Sequence, residues 1–349
     1  MFPASLASAP DWSRRRYSYA VVLGLAGLGL AFPTRAWALL GPPLAVGMVL
    51  LGVAHGACDQ LVVPASGAPS AVGWRYWGWF LAGYLGLAGV VVALWWRWPA
   101  ATVGGFFLLT AWHWGSADAP PQPERRTLWA GHSLLRGLLL FAVPAWWWPF
   151  ETKSVVNELL AFAGAGAVAP AAFARGAAGL GGLVLGGQLV LWAWLTAQRR
   201  WGLLQTDLVE VLMIIGLLMA LPPRLSVGVY FVFWHSLQHA LRLTGWLGYA
   251  PAAGPAQPDP ALLPQLAFFL RRAAPLLLLS CAALLALGYW LAPHLPGDAT
   301  AWFSLALVVA SVVTLPHALL VTLVMDAAWW QDLRGASRRV PSPGPSTGG

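Results

Sequence analysis

The sequence predicts an all-α fold, a polytopic integral-membrane bundle of about ten transmembrane helices with both termini cytoplasmic. Three observations carry that expectation. Of 349 residues, 59% are hydrophobic and 9% charged, against roughly 25% charged in an ordinary soluble domain. The apolar residues gather in runs close to the ~20 residues that cross a ~30 Å hydrocarbon core. The 23 tryptophans cluster at the ends of several runs, where amphipathic indoles favour the membrane interface. A large soluble domain is thereby excluded.

Ten runs read as spans: 17–33, 37–57, 74–96, 99–118, 128–149, 177–197, 205–221, 225–243, 266–291 and 300–326. The first lies between Arg14, Arg15 and Arg16 and the small-residue motif Ala36-Trp37-Ala38, a layout like a signal peptide. A further apolar run follows at once, which makes a retained first span the simpler reading. Trp74, Trp77 and Trp79 open the third run and Trp95, Trp96 and Trp98 close it; Trp146 to Trp148 and Trp329 with Trp330 mark two more ends. Runs 99–118, 205–221 and 225–243 are the weakest, because polar residues interrupt them. The organisation expected is a cytoplasmic segment 1–16, a single transmembrane helical catalytic domain 17–326 and a cytoplasmic disordered tail 327–349. The long connection 150–176 is expected outside, with an interfacial helix, and 245–264 reads as an inside linker rich in Pro, Ala and Gly.

The formal charge of +8 reads as a topology signal rather than a nucleic-acid footprint. With the N-terminus inside, 14 basic residues fall on the cytoplasmic side: Arg14, Arg15, Arg16, Arg75, Arg125, Arg126, Arg199, Arg200, Arg242, Arg271, Arg272, Arg334, Arg338 and Arg339. Five fall outside, namely Arg35, Arg97, Lys153, Arg175 and Arg224, and Arg136 lies within a span. That asymmetry obeys the positive-inside rule and favours an even number of spans. No nucleic-acid partner is expected; the lipid bilayer is.

Histidine is the informative residue. Six of seven fall inside spans: His55, His113, His132, His235, His239 and His317. His294 lies at an outside end and reads as solvated. An ionisable group within the bilayer is costly, and by default it marks a functional site. A single one is as readily a structural histidine bonded to a neighbouring carbonyl. The group is harder to dismiss, because the direction of the runs places all six in the inner half of the membrane or near its centre.

Carboxylates share that layer. Asp59 stands four residues after His55, Asp118 five after His113, and Asp207 and Glu210 three apart at the inner end of a run. Such groups suit hydrogen bonding to the second nitrogen of a metal-bound imidazole, or equally a solvated helix end. Arg136, four residues after His132, is expected to pair with one of them. In Trp234-His235-Ser236-Leu237-Gln238-His239 two histidines at i and i+4 stack on one helical face, near enough to grip one metal. The glutamate that follows the first histidine in zincins is replaced by Ser236. Cys58 and Cys281 form no CxxC, so an all-imidazole site for iron, copper or zinc is the expectation.

Ala54-His55-Gly56-Ala57-Cys58-Asp59, Trp112-His113-Trp114-Gly115-Ser116-Ala117-Asp118, Gly131-His132-Ser133-Leu134-Leu135-Arg136-Gly137, Tyr230 to His239 and Leu315-Pro316-His317 resemble, in order and spacing, the Brp/Blh family of integral-membrane β-carotene 15,15′-dioxygenases. The resemblance runs from about residue 50 to 325. It implies O₂-dependent cleavage of the central double bond of all-trans-β-carotene into two retinal at a non-haem Fe(II) centre. The family's four-histidine set falls on His55, His113, His235 and His239. His132 and His317 also sit in family-like motifs and are expected near the iron or along a substrate tunnel rather than among the four ligands. The second motif departs in having Trp114 between histidine and glycine. Trp112, Trp114, Tyr230, Phe231, Phe233 and Trp234 are candidates for the tunnel wall, or for ordinary packing. A cell-membrane location and hand-over of retinal to an opsin are expected with the family.

Rival classes remain at this point. A di-iron desaturase or hydroxylase needs several histidine boxes, and one HxxxH with seven histidines falls short. A haem carrier needs facing ligands, which His235 and His239 on one face do not provide. A transporter with a relay through Asp207, Glu210 and Arg136 would work without metal.

Overall fold

The structure is a computed structural model that describes residues 12–65, 73–120, 126–249, 261–295 and 299–326. The expected tail 327–349, Trp329 and Trp330, most of the segment expected before residue 17 and residues 250–260 of the expected linker lie outside the described residues. Every regular element among the described residues is helical.

Each expected span coincides with a helix. In chain order these are α1 (Trp12–Ala31), α2 (Ala36–Gly47), α3 (Asp59–Ala65), α4 (Trp74–Arg97), α5 (Pro99–Asp118), α6 (Arg126–Trp147), α7 (Pro149–Phe162), α8 (Pro170–Ala197), α9 (Trp201–Ala220), α10 (Pro223–Val229), α11 (Leu237–Trp246), α12 (Leu262–Leu291) and α13 (Ala299–Leu320). Three wider π turns extend these rods. Met48–Val53 continues α2, Tyr230–Ser236 joins α10 to α11, and Val321–Met325 continues α13. Proline at the first turn starts α5, α7, α8 and α10, where its missing N–H has no intrahelical partner to lose. The connection 150–176 contains the expected extra helix, α7, which ends where Gly164 takes φ +74 and Ala165 N–H bonds back to the Leu160 carbonyl.

Among the described residues, seven helical segments are long and apolar enough to cross a membrane: Pro33–Gly56, Trp74–Arg97, Arg126–Trp147, Pro170–Ala197, Trp201–Ala220, Leu262–His294 and Ala299–Met325. The helices at 12–31, 99–118 and 223–246, where three further spans were expected, are not among them. The reason is their polar load. The first carries three arginines, the second His113 and Asp118, and the last Arg224, His235, Gln238, His239 and Arg242. Burial divides the seven differently: just over half of α6 is interior, whereas little of α4 or α12 is. Large apolar side chains such as Leu278, Leu279, Leu285, Leu85 and Val190 cover that outer surface, as lipid contact requires. α12 begins four residues earlier than the expected run, so Arg271 and Arg272 sit well inside the helix rather than at its end.

Three apolar clusters hold the bundle. One joins α1, α2, α6, α9 and α10 through Val22, Leu40, Leu140, Ile214, Leu218 and Leu225. A second joins the end of α2 to α11, α12 and the last π turn, and a third ties α4, α5 and α7 to α13. The closest helix crossing is α5 against α6. A Cβ on Gly115 would lie 1.8 Å from the Ser133 carbonyl oxygen, and one on Gly137 1.8 Å from that of Ala111. Only glycine permits this approach, the small-residue packing expected where apolar burial cannot drive helices together. It fixes His113, two residues beyond Ala111, against the interior.

Candidate metal centre

Five histidines from four rods meet in the interior. His55 follows the first π turn, His113 projects from α5, His235 lies in the second π turn with His239 one turn on, and His317 in α13 precedes the third. A π turn inserts one residue into the helical repeat, which re-aims the side chains around it; such turns recur at functional sites. All five side chains are buried, none more than 6% exposed.

The rings face one another. His317 lies 4.9 Å from His55, 4.8 Å from His113 and 5.5 Å from His239, centroid to centroid. His113 and His235 are 5.1 Å apart, His55 and His239 5.3 Å, and the wider pairs span 6.0 to 6.3 Å. One nitrogen each from His55, His113 and His235 falls within 4.8 Å of the others. With metal–nitrogen bonds of about 2.0–2.1 Å, two imidazoles on one ion keep their centroids within about 6.4 Å. Every one of these pairs satisfies that bound.

The hydrogen bonding also fits a metal. Both ring nitrogens of His113, His235 and His239, and Nε2 of His317, are buried without a hydrogen-bond partner among the described residues. An unsatisfied buried polar atom costs about 1–3 kcal/mol, so several together in one place call for a shared ligand. His55 is already oriented for one. Its Nδ1 lies 3.0 Å from the Leu51 carbonyl, which can only accept, so Nδ1 carries the proton and Nε2 the lone pair.

Beside the histidines lies a buried network of charge. Arg136 donates from Nη2 to Asp207 Oδ1 at 2.5 Å and from Nη1 to Glu210 Oε2 at 2.9 Å. Asp207 also accepts from His132 Nε2 at 2.6 Å, Gln188 at 2.6 Å and Trp192 at 2.7 Å. Glu210 further accepts from Arg15 and from the Tyr19 hydroxyl. Asp118 connects the network to the histidines: its backbone carbonyl accepts from Arg15, its carboxylate accepts from the Tyr230 hydroxyl, and Oδ1 lies 3.9 Å from His235 Nδ1.

Of the residues singled out in the sequence, His55, His113, His235, His239 and His317 come together. His132 instead belongs to the charge network, and Arg136 pairs with both expected carboxylates. Asp59 holds His317 Nδ1 at 2.8 Å. Trp114 stacks on Phe231 at 5.2 Å, and both rings abut His235, giving the centre one aromatic side. Tyr230 and Trp234 are buried and stacked on each other at 6.2 Å, Trp234 packing on Tyr19. Trp112 donates to Thr322 and meets Trp129 edge-on. Sequence reading missed Arg15, which it took for a cytoplasmic topology charge, and Tyr19, Tyr84, Gln188 and Trp192. Only their placement on helices facing a buried acid distinguishes them.

Fold and site define a multi-pass membrane protein built around an internal cluster of imidazoles with adjoining carboxylates. The family model for beta-carotene 15,15′-dioxygenase matches residues 46–325, a stretch that contains all five histidines. Over 320 residues the chain is 31% identical to the probable beta-carotene 15,15′-dioxygenase Blh of Halobacterium salinarum, covering 87% of this chain and 88% of that protein. The chain belongs to the β-carotene 15,15′-dioxygenase family of enzymes. No solved structure matches it.

Proposed function

We propose that this protein cleaves all-trans-β-carotene at its 15,15′ double bond with O₂, giving two all-trans-retinal, and that His55, His113, His235 and His239 hold the Fe(II) it uses. The observation that carries the reading is the convergence of unpaired, buried imidazoles within the matched region. Bound there, Fe(II) would supply an O₂-reactive centre with coordination positions left open beside neutral ligands.

The chain's own groups account for the rest. β-Carotene is a hydrocarbon dissolved in the bilayer, so a centre enclosed by membrane helices meets its substrate without a water-filled path. Trp114 and Phe231 offer flat apolar faces beside His235 on which a polyene can lie. Asp118 and Tyr230 hold a hydrogen bond within reach of the same ring and fix its surroundings. Arg136 and Arg15 pair with Asp207 and Glu210 beside the centre, so these buried charges are matched within the protein. The cell membrane is the proposed location, and an opsin in the same bilayer the proposed recipient of retinal.

Expression in a host that makes β-carotene tests the reading. Loss of orange colour with retinal accumulating is expected, whereas unchanged carotene in a host that produces the folded protein would overturn it.

A further inference from the structure

Asp59 and His317 are 258 positions apart in the chain, yet His317 Nδ1 lies 2.8 Å from Oδ1 and 2.9 Å from Oδ2 of Asp59. A carboxylate accepts only, so Nδ1 carries the proton, and in the neutral imidazole Nε2, on the far edge of the ring, carries the lone pair. That nitrogen is buried and has no hydrogen-bond partner among the described residues. Asp59 is itself held: the Tyr84 hydroxyl donates to its Oδ2 at 3.1 Å. The ring sits among the other histidines rather than behind them. Its separations from His113 and His55, 4.8 and 4.9 Å, are shorter than the 6.1 Å between His235 and His239.

We propose that His317 is a fifth metal-binding imidazole, set in its donor tautomer by Asp59 and, through Asp59, by Tyr84. This deepens the metal reading above and rests on it. A structural histidine would have its second nitrogen satisfied by a carbonyl, a hydroxyl or solvent; here the protonated nitrogen is fixed by a carboxylate and the other is left bare. A carboxylate behind a ligating imidazole fixes ring orientation and raises its basicity. His55 and Asp59, one turn apart, would then serve two ligands: His55 directly and His317 by way of the carboxylate. Five imidazoles leave one open position on a six-coordinate ion, where four leave two.

The experiment compares purified full-length protein with His317→Ala, Asp59→Asn and His235→Ala variants, loaded with Fe(II) or Co(II). Elemental analysis reads affinity, and the visible Co(II) spectrum, whose intensity and position depend on the ligand set, reads coordination. The proposal expects His317→Ala and Asp59→Asn each to weaken binding by about 10–100-fold and His317→Ala to change the Co(II) spectrum, with monodisperse, helical protein throughout. Wild-type affinity and an unchanged spectrum in both variants, while His235→Ala loses metal, would overturn this proposal and leave the four-histidine reading intact. A wild-type protein that takes up neither ion would overturn both. Where His317→Ala does not fold, Asp59→Asn decides alone, since it keeps the size of the buried side chain.

Discussion

His55 donates from Nδ1 to the carbonyl oxygen of Leu51, one turn back, at 3.0 Å. Leu51 lies in the π turn Met48–Val53, and its carbonyl also accepts from the Ala54 N–H at the end of that turn. A π turn recurs at Tyr230–Ser236 and Val321–Met325, so three of the four rods that bring histidines to the centre carry one at or beside the histidine. In the last of them Asp326 N–H reaches the Val321 carbonyl, five residues back, at 2.9 Å.

Removing one residue from the first π turn tests that relationship. Deletion of Leu50, which is exposed, should restore an ordinary helix and rotate His55 relative to the residues before it by roughly 100°. The expected result is a helical, membrane-inserted protein whose Fe(II) content falls at least tenfold by elemental analysis. Full iron content would show that the wide turn does not position His55.

Arg136 is buried against two carboxylates, and its loss leaves Asp207 without its guanidinium partner and Glu210 with Arg15 alone. Arg136→Met should destabilise the protein by about 3–5 kcal/mol, the range for breaking a buried ion pair from one side. Unfolding of the detergent-solubilised protein reads this directly. Stability equal to wild type would mean that Arg15 alone can balance the pair.

The α5–α6 crossing leaves no room at Gly137, whereas Gly104 on α5 faces open space. Gly137→Ala should cost about 2–3 kcal/mol by overpacking and weaken metal binding, because α5 is displaced beside His113. Gly104→Ala should be neutral or stabilising by up to about 1 kcal/mol. Equal melting temperatures for the two variants would refute the close approach.

His235→Ala and His239→Ala are each expected to abolish retinal formation and lower bound iron. His294 is exposed and makes a contact of 3.3 Å with the Trp290 carbonyl, so His294→Ala should retain activity near wild type. Activity surviving in either of the first two variants would remove that residue from the metal set.

Much of this arrangement is legible in the sequence because apolar length and intramembrane polarity are strong one-dimensional signals. All ten expected runs coincide with helices, and five of the six intramembrane histidines share one interior cluster. What escaped is what depends on rotation and long-range pairing. Arg15 reads as a surface charge until α1 is placed against Glu210. Trp95 reads as an interfacial indole, yet it is buried with its Nε1 donating to Ser311 at 2.7 Å. His132 belongs to Asp207, a partner 75 positions away. A π turn adds one residue to a hydrophobic run and leaves no compositional trace, and Tyr84 stands in an outer apolar helix with nothing nearby in sequence to mark it as the partner of Asp59.

The most direct test of the central claim is product analysis with purified, Fe(II)-loaded protein and all-trans-β-carotene in air. The account predicts two retinal formed for each carotene consumed, and none when His235→Ala is used. Aldehydes of unequal length, or carotene left intact by iron-loaded and folded protein, would contradict it.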